Sequence, residues 1–108
     1  MLIGVMSRKL NEGVDSATFR RAWIPDETLS DDPRTRVFSA LNAEDPRELI
    51  TIALIENADI SEIPVWMERL GPIEMRRYER IKDLVGEPTI NAVYEVVAED
   101  NLSKPISE

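Results

Sequence analysis

The sequence predicts an α+β domain whose elements follow in the order β-α-β-β-α-β. Short apolar runs suited to strands open the chain, recur as the neighbours RVFSALN and LITIALI, and return as TINAVYEVVA. Residues at helical spacing fill the intervals, Phe19, Ala22 and Trp23 in the first and Ile63, Trp66, Met67 and Leu70 in the second. Turn residues separate these segments.

Leu2 to Lys9 reads as a strand with apolar groups on both faces, and Asn11 to Gly13 supplies a turn. Asp15 or Ser16 then caps a helix, and Pro25 ends or bends it near Ile24. Glu27 to Arg36 is polar and is expected to be a loop. A hairpin follows: Thr35 to Asn42, a turn at Glu44-Asp45-Pro46, and Glu48 to Glu56. The second helical region is expected as two pieces, because Gly71 is a stop signal and Pro72 a start signal. Tyr78, Ile81, Leu84 and Val85 form the inner side of the second piece, with Arg76, Arg77, Glu79 and Lys82 around the other, and Gly86 ends it. Thr89 to Ala98 alternates as a last strand. The expected domain is residues 1–99, with a polar tail at 100–108.

This order is the ferredoxin-like plan, a sheet with its helices on one face. The other face of such a sheet is polar in a soluble monomer. Here the first, third and fourth strands are apolar on both sides. A second copy of the same sheet is the simplest cover, so a homodimer packed face to face is expected.

Composition removes several chemistries. There is no cysteine, hence no disulfide and no thiolate ligand or nucleophile. There is no histidine, which removes the commonest general base near neutral pH and the commonest metal ligand. Neither a metal site nor a cofactor is expected. A net charge of −8, from 13 basic and 21 acidic residues, disfavours nucleic-acid binding. No run reaches the length of a membrane span, and MLIGVMSRKL lacks the order of a signal peptide, so a cytoplasmic protein is expected.

The chain length, the element order, the Phe19/Trp23 helix after the first strand and the split helix before the last together resemble the dimeric α/β-barrel superfamily. Within it, the resemblance is to antibiotic-biosynthesis-monooxygenase-like domains, and it spans Leu2 to about Glu99. It implies pairing as a dimeric α/β barrel and a ligand pocket between the helices and the sheet of each subunit. That family includes cofactor-independent oxygenases acting on aromatic polyketides or quinols, haem-degrading enzymes, small isomerases and proteins without known activity. The haem-degrading branch uses an Asn, Trp, His arrangement. Trp66 resembles its helix-side tryptophan, but this chain has no histidine to ligate iron.

Candidate site residues are few. Trp23 and Trp66 are either core or a flat clamp for an aromatic ligand. Glu95 interrupts an apolar strand face; it is either a buried acid or base with a raised pKa, or a partner of an arginine such as Arg8. Tyr78, Tyr94, Ser39, Asn42 and Asn91 are neutral polar groups able to orient a phenol or quinone. FRRAW and MRRYER, which contain Arg20 and Arg77, suit either an anionic ligand or pairing on the helix surface with Glu74, Glu79 and Asp83. The catalytic candidates are thus Glu95, Tyr78 and Tyr94, and the ligand-binding candidates Trp23, Trp66, Asn42, Ser39 and Arg20. The expected function is that of a dimeric barrel that is non-catalytic or binds a small ligand such as an aromatic compound. The alternative is a cofactor-independent monooxygenase or isomerase acting on a small aromatic or quinone-like compound.

Overall fold

In the computed structural model, which describes residues 1–24 and 28–105, the amino-terminal strand β1 (Leu2–Lys9) lies inside a four-stranded antiparallel sheet. It pairs with β3 (Asp45–Ile55) on one side and with β4 (Ile90–Glu95) on the other. Strand β2 (Arg36–Asn42) completes the sheet beyond β3, giving the order β2-β3-β1-β4. The chain is α+β, with helices α1 (Ser16–Trp23) after β1 and α2 (Ile63–Ile81) after β3, the latter preceded by a short 3-10 turn at Ile60–Glu62. Pro25 and Glu27, and with them the expected bend and the start of the expected loop, lie outside the described residues, as does the end of the tail.

Local signals place most ends. Gly13 closes the turn after β1 at φ 82°, a backbone region that disfavours a side chain. The Asp15 carboxylate accepts the Thr18 N–H at 2.7 Å and caps α1. At the other end of α1, Arg80 of α2 donates from Nε to the Ala22 carbonyl at 2.9 Å, filling an acceptor that the helix leaves free.

Four expectations need correction. The hairpin turn is Ala43-Glu44, with Asn42 paired to Asp45 and an irregularity that shifts the register between Leu41 and Asn42. Proline cannot donate to a ladder, so Pro46 is accommodated in that irregular stretch at the start of β3 rather than in the turn. Helix α2 is continuous through Gly71 and Pro72. Glu68 and Pro72 are both exposed there, so water can serve the carbonyl that proline leaves without its helical partner. Continuity fixes the inward face as Leu70, Ile73, Arg77 and Ile81, at steps of three, four and four residues. Met67 and Tyr78, expected inside, are therefore 69% and 50% exposed, and Arg77, expected outside, is buried. Strand β4 ends at Glu95 rather than Ala98. Its partner β1 runs out at Leu2; Val96 N–H still reaches the Met1 carbonyl at 2.9 Å, but Val97 is 89% exposed.

Alternation and register sort the sheet into two faces. Leu2, Met6 and Arg8 of β1 share a face with Leu49 and Ile55 of β3, and α1 and α2 cover it. The core gathers there from Leu10, Phe19, Leu49, Ile81 and Val85, with Val14, Ala22, Trp23 and Leu84 packed around it. Ile3 and Val5 share the opposite face with Ile50, Ile52 and Leu54 of β3, Phe38 and Ala40 of β2, and Ile90, Ala92 and Tyr94 of β4. No described element lies on it, and Phe38 and Tyr94 are 47% and 48% exposed.

Candidate functional site

A cavity of about 280 Å³ opens between α1, α2, β1, β4 and the segment that joins α2 to β4. Its sheet wall is Met6, Arg8 and Asn91; its helix wall is Trp23, Glu74, Arg77, Tyr78 and Ile81. Val85, Gly86, Glu87 and Pro88 close one side. That segment is held in place by backbone bonds to β1 and the residues just after it. Asn11 N–H donates to the Leu84 carbonyl at 2.8 Å, Gly86 N–H to Lys9 at 2.9 Å, and Thr89 N–H to Ser7 at 2.8 Å.

Trp23 forms the flat part of the wall. Its ring stacks on Phe19 at 6.3 Å between centroids, and the Arg77 guanidinium lies 5.4 Å from its centroid. The cationic groups come from both layers. Arg8 is 9% exposed and Arg77 7% exposed. Arg77 is paired with Glu74, one turn before it on α2. The same Glu74 oxygen accepts from Arg34 at 2.7 Å, and Arg34 in turn grips both oxygens of Asp32 at 3.0 and 2.8 Å. This network ties the loop before β2 to α2, and Arg69 adds a second tie by its fork on Asp31.

Arg8 stands apart from that network. Among the described residues no carboxylate lies within ion-pair distance of it; its guanidinium donates to the Met6 sulfur, a weak acceptor, and lies 5.8 Å from the centroid of the Phe19 ring. The Nε of Arg8 and that of Arg77 are buried with no hydrogen-bond partner. Burial pushes the Arg8 guanidinium below its ordinary value, while Glu74 and Tyr78 pull it back up. For Arg34, burial also acts downward, but hydrogen bonds to Asp32 and Glu74 outweigh it and the net shift is upward.

The sequence-derived candidates separate. Trp23, Tyr78 and Asn91 meet at this cavity. Arg20 and Ser39 line a different hollow of about 340 Å³ between α1 and the β2 edge, with Phe19, Leu41 and Leu49. Asn42 serves its hairpin, accepting the Glu44 N–H at 2.8 Å. Trp66 sits near the start of α2 with the Arg69 guanidinium 4.9 Å from its ring centroid, and it does not share a cavity wall with Trp23. Tyr94 is on the uncovered face of the sheet. Glu95 is exposed on the edge strand opposite Leu2, so it is not the buried group expected, and Arg8 is not its partner.

Sequence reasoning missed Met6, Arg8, Glu74 and Arg77 as a group. A signal was present for Arg8, since it interrupts the alternating set Leu2, Met6 and Leu10 on one face of the first strand. For Arg77 the signal was masked by the assumed break at Gly71-Pro72.

No family model, curated protein or solved structure matches this chain. Among the described residues no helix is long and apolar enough to cross a membrane, and no cluster of His, Cys, Asp and Glu could hold a metal ion.

Proposed function

We propose that the chain is a ferredoxin-like domain that pairs sheet to sheet as a homodimeric α/β barrel, and that each protomer binds a small aromatic molecule without transforming it. The observation that carries the binding half is the convergence of Trp23, Tyr78 and Asn91 on one cavity between helices and sheet. A flat apolar wall with a few polar groups is the usual make-up of a small-molecule site. The element order and the strand order β2-β3-β1-β4 support the ferredoxin-like reading. The pairing is supported by the uncovered face, whose centre is continuous apolar surface from Tyr94 through Ile3 and Leu54 and from Ala92 through Val5 and Ile52 to Phe38. A contiguous apolar face of this kind is an association surface, and one that is flat and identical on each copy suits a two-fold contact.

Native mass spectrometry of the purified protein, followed by denaturing mass spectrometry of the same sample, tests both halves. A dimer is expected, and extra mass lost on denaturation would be a retained ligand. A monomer at micromolar concentration would overturn the pairing.

A cofactor-independent monooxygenase or isomerase acting on a small aromatic or quinone-like compound is the second reading. Its support is Tyr78, a phenol able to exchange a proton at the same cavity as Arg8. Turnover that disappears in Tyr78→Phe while binding persists would establish that reading over simple binding.

A further inference from the structure

We propose that the ligand of this cavity is an anion, a small aromatic carboxylic acid whose carboxylate is taken by Arg8 and Arg77 while its ring lies along Trp23. The inference rests on the binding reading above and adds the chemical class of what is bound. Its first support is charge balance. Buried Arg8 and Arg77 and half-buried Arg34 stand against half-buried Asp32 and the 42% exposed side chain of Glu74, which leaves one cation in excess. Glu74 is already shared by two arginines, and Arg34 is satisfied on both sides.

Its second support is the unmet hydrogen bonding. A guanidinium has five N–H donors, and the described residues give Arg8 only the Met6 sulfur. Both Arg8 and Arg77 are more than nine-tenths buried, each with an Nε that finds no acceptor, and both line the same cavity. A charged group left in this state costs folding free energy, so proteins rarely hold one without a partner. A carboxylate fits the fork in bidentate fashion and supplies the missing acceptors. Asn91 is placed on the same sheet wall as Arg8, and Tyr78 on the helix wall beside Arg77. The cavity is at the small end of ligand sites, which run from roughly 300 Å³ upward, and this favours compact acids. The surrounding charge does not oppose the assignment strongly: Glu87, in the segment that closes one side of the cavity, is exposed, where water and salt screen it.

The test compares benzoate and 1-naphthoate with benzamide and 1-naphthamide, neutral molecules of the same shape, by calorimetry on the intact protein. The acids are expected to bind about tenfold or more tightly than the amides, the difference made by charge-assisted hydrogen bonds. Arg8→Met is expected to remove that preference, bringing the acids down to the level of the amides. Without ligand, Arg8→Met is expected to melt at the same temperature as the native chain or higher, because it removes an unpaired buried cation. Arg8→Lys, which keeps the charge but not the fork, is expected to retain part of the preference, and it serves as the readout should Arg8→Met not fold. Acids and amides that bind alike would overturn the anion and leave the pocket standing. Binding of neither would overturn the pocket reading and the anion with it. A ligand-free Arg8→Met that folds but melts several degrees lower would show that Arg8 is satisfied by the fold itself, and would overturn the assignment.

Discussion

The two faces of this sheet contrast in an unexpected direction. The face under the helices carries Arg8, Thr51, Ser39 and Asn91 among its apolar residues. The face with no helix over it is apolar across its centre, from Ile3, Val5, Ile50 and Ile52 to Phe38, Ile90 and Tyr94, with Ser7 as the one polar residue between Ile50 and Ile90. Burial alone would arrange them the other way. The two faces therefore make different demands. Polar groups on a covered face have to be satisfied there, by the protein or by something it holds. An apolar face in water has to be covered, and the described residues offer no cover.

Substitutions on the two faces should fail in different ways. Phe19 is 2% exposed at the centre of the covered core, so Phe19→Ala is expected to lose about 3–5 kcal/mol of stability. Denaturant titration at two protein concentrations reads this as a lowered midpoint at both. Ile52→Glu puts a carboxylate in the middle of the open face. If that face is the dimer contact, a charge in a dry interface should weaken association by about 100-fold or more, roughly 3 kcal/mol. Sedimentation should then find monomers that keep native circular dichroism. An unchanged oligomeric state in Ile52→Glu would remove the open face from the interface.

The sequence exposed this contrast only in part. Two-sided apolarity of LITIALI and of the first strand is plain from the residue pattern, and it requires that a second sheet face be covered. The strand boundaries of β1 and the Asp15 cap were equally legible, because period-two alternation and capping chemistry are local. The site was less so. Which wall Arg77 faces depends on the phase of α2 across Gly71-Pro72, and that phase is set by packing of the whole nineteen-residue helix rather than by either residue. Trp23 and Tyr78 could be proposed singly, but their meeting with Arg8 depends on how α1 and α2 lie across β1. Trp66, chosen for the same reasons as Trp23, is on the same helix as Tyr78 but more than three turns earlier, a span of about 18 Å. Residue type suggested both tryptophans; only the fold separates them.

A smaller effect would sharpen the account of the covered side, through the loop network rather than the core. Burial tends to raise the Asp32 carboxyl, but hydrogen bonds from Arg34 outweigh it and hold it below its ordinary value in the fold. A depressed carboxyl contributes stability that is fully present above its unfolded value of about 3.9 and is lost as pH falls through the lower folded value. The Arg34 fork should therefore weaken below about pH 4, and with it the tie from the loop to Glu74. Asp32→Asn removes this titration while keeping the shape. Its stability should fall less steeply than that of the native chain between pH 5 and pH 3, measured by urea midpoints at matched ionic strength. Equal slopes would mean that the fork adds nothing to the fold.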